Sequence, residues 1–489
     1  MSSSIIYTGG ESASLTGGIN LKVSDYLREP GECLLIINAI GDRLGSLMKR
    51  PGYTLIGAAL ASSQDILGLQ PYYQAGASKR LFGIVNGGSN ATIHVSTGGA
   101  WTSINSSLLS DALYQGCQFL DTVFFVGYSS GSSTFATNFL MTGTSFSTSQ
   151  ANINGMPQGK FVCRAADLLY VGNARSGGTN YPSRIYFSSV PSSGVITWTS
   201  TNFVAVPEDN NEEISWLEES NNQLLIFKER SLYRWDESVL VKVADTGTPL
   251  PGRSVKTVGY YTFFYSQNGG GVYAYSGGKP KLISQKIQPL IDAITQTSLD
   301  DLRAEADYDH YYLFVGDVTI QLPYGDTMSV TNAVYVYTIS TNSWYVYSLA
   351  DSVKGMCRFV DDTNGFDRVY FGSTGEVFRL AYDVDSVSSD DGDSISGLIR
   401  YRTPIGAFHE LKVVHKAYPL VDRAQGMTFR ARADNRDWKR ETQINQNAQM
   451  IPLDLEGRIF EFEITESSIF APFILNGMAF IADQRTNSP

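Results

Sequence analysis

Histidine and cysteine are scarce, four of each in 489 residues, which leaves little material for metal or thiol chemistry. The cysteines (33, 117, 163 and 357) are scattered with no C-x-x-C spacing. They read as small buried hydrophobes rather than a zinc site or a disulfide framework. His94 falls in an alternating run and His310 at the strand start "DYDHYYLF". His409 and His415 flank "ELKVV" and would share a face of a regular strand, but no third ligand accompanies them. G-x-S-x-G, H-E-x-x-H and P-loop patterns are all missing. Nothing approaches the roughly 20 apolar residues that span a bilayer, and the first residues lack the basic start and apolar core of a secretory signal. A chain made in a cytoplasm, without a membrane anchor, is the expectation.

Positive charge is also in deficit, with 37 Lys+Arg against 48 Asp+Glu and a formal net charge of −11. Tight binding to a phosphate backbone needs the opposite balance. Basic residues gather only in "LMKRPG" and "RARADNRDWKR" (430–440), so no nucleic-acid module is indicated. Acidic residues gather in "PEDNNEE" (207–213), a surface loop, and in "VDSVSSDDGDS". The latter has a calcium loop's composition in Asp385, Asp390, Asp391 and Asp393 but not its spacing or closing Glu, and reads as a solvated connector. No cofactor, metal or catalytic residue is expected.

What the chain does have is 28 Tyr, 25 Phe and 46 Gly, which suits many short strands joined by tight turns. Strong helix signals are few, and the best is Gln288 to Ile294, with Pro289 near its start. A unit of apolar strand, turn and aromatic strand recurs. It appears at 79–101, 121–139, 167–188, 222–236, 260–278, 311–317 with its outer pair 332–348, and 367–383. Spacings of roughly 40–55 residues match four-stranded β-propeller blades. The expected fold class is therefore all-β: a propeller of six or seven blades over 61–383, a C-terminal β-sandwich or platform domain over 384–489, and an N-terminal segment over 1–60 that forms an arm or joins the C-terminal sheet.

The arm carries the most specific pattern. Gly17-Gly18-Ile19, then "REPGE" with Arg28 and Pro30, Asn38, Gly45 and Lys49-Arg50-Pro51-Gly52 form an ordered series ahead of the first unit. This series resembles the N-terminal signature of bacteriophage tail nozzle (tail tubular) proteins and related virion β-propellers. "DGDSISGLIRYRTPIGAF", with Thr403-Pro404, is similar to the segment that introduces their sandwich domain. The run after the KRPG and the strand "INLKVSDYL" depart from the family pattern, so nozzle, hub, plug and adaptor roles all stay open. The resemblance implies a structural virion protein in the tail, forming a homo-oligomeric ring, most readily a hexamer. Such a ring continues the DNA channel below portal and adaptor, retains the packaged genome and allows its ejection. Its implied partners are portal, adaptor and tail-fibre or spike proteins, with transient non-specific contact to genomic DNA. The alternatives are a glycan-binding or glycan-cleaving propeller and a cellular propeller scaffold. "STGGAW" (96–101) only faintly echoes the sialidase Asp-box, and Trp235-Asp236 is the single Trp-Asp pair. Pro51-Gly52 is expected to make a tight turn leading to the first blade, and Lys49 and Arg50 to dock on a neighbouring acidic surface.

Overall fold

Runs of Val, Ile, Tyr and Phe bounded by Gly, Asn and Asp fold as strands and turns throughout, giving 58% strand and 4% helix, an all-β chain. The computed structural model describes residues 4–8, 17–25, 27–29, 31–41, 45–60, 64–207, 212–249, 252–295, 299, 301–360, 362, 365–382, 387–405, 410–423, 426–439, 441–467 and 473–484. Pro30, Asp385 and His409, and most of the loop 207–213, lie outside the described residues.

Seven antiparallel meanders follow one another along the chain. The first runs Ile66–Tyr72, Arg80–Asn86, Asn90–Ser96, Trp101–Leu109, and the second begins at Leu113–Phe119. The third begins at Gln158–Ala165, the fourth at Ile214–Ser220, the fifth at Lys256–Val258, the sixth at Arg303–Ala306 and the seventh at Gly355–Val360. The first strand of each meander lies against the first strand of the next, and that of the seventh lies against that of the first, which closes a circle. The repeated units of the sequence are the middle strands of these meanders, such as Thr122–Ser129 and Tyr261–Ser266, whose side chains are buried on both faces.

The seventh meander takes its fourth strand from the N-terminal region. Tyr53–Leu55 pairs antiparallel with Val377–Leu380, so the two ends of the circle are laced by backbone hydrogen bonds. The sixth meander also grows outward. Its last strand, Ser343–Ser348, pairs with Leu35–Ile37, which pairs with Gly397–Pro404, and the sheet continues through Ile459–Glu466, Met427–Ala433 and Thr442–Ile444. A second sheet holds Ile451–Gly457, Lys412–Asp422, Ile474–Gln484, Leu47–Lys49 and Ala39–Gly41, with Ser4–Thr8 on Ile474–Gln484. Phe462 of one sheet stacks on Phe480 of the other, ring centroids 4.4 Å apart, as the core of a sandwich.

Two expectations are corrected here. The sandwich strands are not a separate unit, because one sheet and one hydrophobic core run continuously from the sixth meander through residues 35–37 into the strands after 397. The acidic stretch after 387 is not solvated throughout: Asp391 and Asp393 are exposed, but Asp390 is buried in a hairpin. Ser389–Asp390 hairpins with Asp393–Ser394 and extends the sheet of the seventh meander beside Tyr53, with Asp390 only 3% exposed. The helix appears as the short Gln288–Asp292, burying Leu290 and Ile291.

Candidate functional site

Two of the motif residues of the N-terminal region, Asn38 and Pro51, meet at a third, Arg50. Its side chain is fully buried and uses all five N–H donors. Nη1 and Nη2 form a fork on Asp390, donating to Oδ1 at 2.8 Å and Oδ2 at 2.6 Å. Nη1 also donates to the Pro51 carbonyl, Nη2 to the Ser348 carbonyl at 2.8 Å, and Nε to Asn38 Oδ1 at 2.8 Å. Asn38 occupies the left-handed region (φ 55°), which Asn tolerates better than most residues. From there its Oδ1 also accepts the Ser348 N–H, and its Nδ2 donates to the Ser396 carbonyl. One Arg-Asn pair thus ties together the N-terminal region, the sixth meander, the hairpin at 389–394 and the entry to the sandwich.

The flanking positions serve the same joint. Lys49 is buried against Glu466 at 2.8 Å. Gly52 donates its N–H to Val387 and accepts from Ala381, and a Cβ there would stand 1.8 Å from the Ser389 carbonyl oxygen. Gly52 is therefore required for close approach of two backbones. It is not at positive φ, and Pro51-Gly52 links strands of different sheets rather than closing a tight turn. Gly18, at φ 72°, abuts the Trp344 backbone, where a Cβ would meet the nitrogen at 2.8 Å, and Gly17 lies as closely on Gly31. Gly45 also has positive φ. The expected docking of Lys49 and Arg50 on a neighbouring surface is corrected: both cations are spent on carboxylates of their own chain. Calcium ligation by the acidic hairpin loses its central member, since both Asp390 oxygens are taken by Arg50.

Arg28 belongs to a second buried network, on the outer face of the sandwich sheet. It bonds Asp25 and the Arg402 carbonyl. Arg402 bonds Asp25 at 2.8 Å and Glu461 at 2.7 Å, with its guanidinium 3.9 Å from the Tyr324 ring centroid. Next along the sheet, Arg400 and Arg430 share Glu463, while Arg432 bonds Glu461 and Asp326. Trp438 covers Arg430 and Arg432 at 4.5 Å each. Arg430 and Arg432 of "RARADNRDWKR" are thus neutralised within the fold, while Arg436 and Lys439 are exposed; strand alternation explains the first part of the pattern, since Phe429 and Ala431 face the core. Thr403 and Pro404 end the strand that carries Arg400 and Arg402, paired with Phe460 and Ile459.

The second feature is a cavity of about 900 Å³ at the centre of the circle, lined by the first strands of the meanders. Charged residues reach it from several sides: Asp65, Lys160, Glu218, Arg253, Lys256, Asp301, Arg303 and Lys354. Lys256 keeps 27% of its side chain open and pairs with Glu305 at 3.1 Å. Burial opposes its charge, yet Glu305 and Glu218 outweigh that and hold its pKa above the ordinary value. Burial pushes the Glu218 carboxyl up, although Lys256 and the Trp216 indole N–H partly offset it. These first strands escaped the repeat pattern of the sequence. Facing a polar axis, "RAEA" (303–306) and "QGKFVCRA" (158–165) alternate charge with apolar residues instead of forming aromatic runs.

No group of three or more His, Cys, Asp or Glu suited to a metal occurs among the described residues. His415 lies between Asp454 at 3.0 Å and Asp483 at 3.2 Å, and the Asp454 hydrogen bond holds its pKa above the usual value. His310 bonds Asp307, and His94 sits in the strand Asn90–Ser96. The four cysteines are unbridged, and burial pushes the Cys33 and Cys117 thiols up to about 12. No helix among the described residues is long and apolar enough to cross a membrane. Compared with known proteins, the chain matches no family model and no curated protein.

Proposed function

We propose that the chain is a structural, non-enzymatic subunit of a bacteriophage tail, a nozzle or hub protein that assembles as a closed ring. On this reading the seven meanders are the blades of a seven-bladed β-propeller, and the sandwich with residues 35–49 is the platform beside it. The observation that carries the reading is the joint around Arg50. Asn38 and Arg50, two members of the series that resembles the tail-nozzle signature, lock platform to propeller, which is what a rigid ring component requires. The net charge of −11 suits a channel wall that DNA passes without sticking. A heterologous ring needs two different complementary faces, and the platform and the propeller offer them. Portal, adaptor and tail-fibre proteins are the partners, the virion tail is the location, and hexamer is the expected stoichiometry.

Electron microscopy of the purified chain, alone and mixed with its portal–adaptor complex, tests this directly. Closed rings with a central channel are expected. Monomers in both preparations would overturn the proposal.

One observation favours a second reading. Carboxylates and arginines meet in the axial cavity, and glycan cleavage on such a scaffold uses both. Measured turnover of a polysaccharide would decide for that reading.

A further inference from the structure

The axial cavity is lined by a guanidinium that makes no side-chain hydrogen bond or ion pair among the described residues. Arg253 stands just before the first strand of the fifth meander, Arg303 opens that of the sixth, and Lys354 precedes that of the seventh. Three cations from consecutive meanders thus line one end of the cavity. The backbone fixes their spacing. The Arg253 carbonyl accepts the Ala304 N–H at 3.0 Å, and Arg303 donates through Nε to the Lys354 carbonyl at 2.9 Å and through Nη1 to that of Leu302.

Three neighbouring carboxylates are committed elsewhere, and Asp301 offsets the charge of Arg253 only in part. Asp65 faces Lys354 at 3.6 Å, Glu305 holds Lys256, and Glu218 accepts from the Trp216 indole and the Thr257 N–H. Among the described residues, Arg253 makes no side-chain hydrogen bond or ion pair. Burial, and then repulsion from Arg303, depress its hold on its proton well below the ordinary value, with Asp301 only partly offsetting them. A half-buried guanidinium beside a like charge is unfavourable, and an anion binding between them would relieve the cost.

We infer that this cavity binds a small oxyanion, a phosphate- or carboxylate-bearing molecule, on Arg253 with Arg303 beside it. The planar fork of a guanidinium suits two-oxygen recognition of either group. The volume of about 900 Å³ falls within the range of small-molecule sites, and Leu69, Trp216 and Met356 give the walls apolar surface for the body of the ligand. The inference stands on the cavity alone and is independent of ring assembly.

Calorimetric titration of the full chain with inorganic phosphate and, separately, with citrate at fixed ionic strength tests it and distinguishes the two anion classes. Saturable binding of at least one, at one site per chain, is expected. Arg253→Gln should weaken it at least tenfold, while Lys281→Gln, at an exposed position outside the cavity, should leave it unchanged. Lys354→Gln, on the cavity edge, should weaken it less and covers the case in which Arg253→Gln does not fold. Failure of both anions to saturate the wild-type chain would overturn the inference, as would binding that neither cavity substitution changes.

Discussion

Arg50 shows how much one side chain can hold in place when its partners come from distant parts of the chain. Its fork on Asp390 joins residues 340 apart in sequence, inside a region both side chains leave closed to water. Removing one partner of such a pair leaves the other charge buried alone, at about 3–5 kcal/mol. Arg50→Met is therefore expected to lower stability by that order, read as a fall in the urea midpoint. Arg50→Lys should recover little of it, because an ammonium cannot make the fork and reach Asn38 together. Arg50→Met combined with Asp390→Leu should recover much of the loss, and a double variant no better than the single one would count against this account. Gly52→Ala is a steric rather than an electrostatic test. A Cβ 1.8 Å from the Ser389 oxygen forces two strands apart, so this variant should yield little folded protein in expression trials.

At the scale of elements, the turn between the first two strands of the sixth meander depends on Asp307, which is 1% exposed. Its carboxylate accepts the backbone N–H groups of Asp309 and His310, the His310 ring nitrogen and the Tyr312 and Tyr382 hydroxyls. Burial alone would raise its pKa, but the His310 hydrogen bond and charge and the two N–H bonds hold it below the usual carboxylate range. A carboxyl whose folded value lies below its unfolded value of about 3.9 stabilises the fold above that pH. The stabilisation disappears as pH falls through the folded value. Urea midpoints followed from pH 7 downward should accordingly drop below about pH 4. Asp307→Asn should be less stable at pH 7 by about 1.5–3 kcal/mol, with a shallower acid limb. Parallel acid limbs for the two proteins would show that this carboxylate does not carry the effect.

For the whole molecule, the loops that follow the first strands of meanders five, six and seven present Tyr260, Tyr308 and Phe366, with exposures of 77%, 64% and 58%. Large exposed aromatics on consecutive loops at one end of the circle are unusual for a surface meant to face only water. If the chain assembles as proposed, replacing all three with Ser should shift the particle mass seen by light scattering toward that of a monomer. The monomer's own melting should change little, because these side chains contribute little to the core. An unaltered ring would exclude these loops from the subunit interface.

The strands of this chain differ in how far local sequence determined them. Middle strands such as Thr122–Ser129 and Tyr261–Ser266 were legible as aromatic and β-branched runs between turn residues, because a strand buried on both faces must be apolar throughout. The all-β class and the spacing of the units followed from that. The inner strands were not legible, since an axial cavity lets them carry Lys160, Lys256 or Arg303 where a core would not. Nor could the sequence tell that Lys49 and Arg50 are buried, that Asp390 of the acidic run is buried in a short hairpin, or that residues 53–55 complete the last meander. Each depends on a partner hundreds of residues away, and a charged side chain reads as exposed until its counter-charge is located. Local patterning determined where strands form; only the tertiary structure decided which charges meet, because burial is a property of the assembled neighbourhood and not of any one segment.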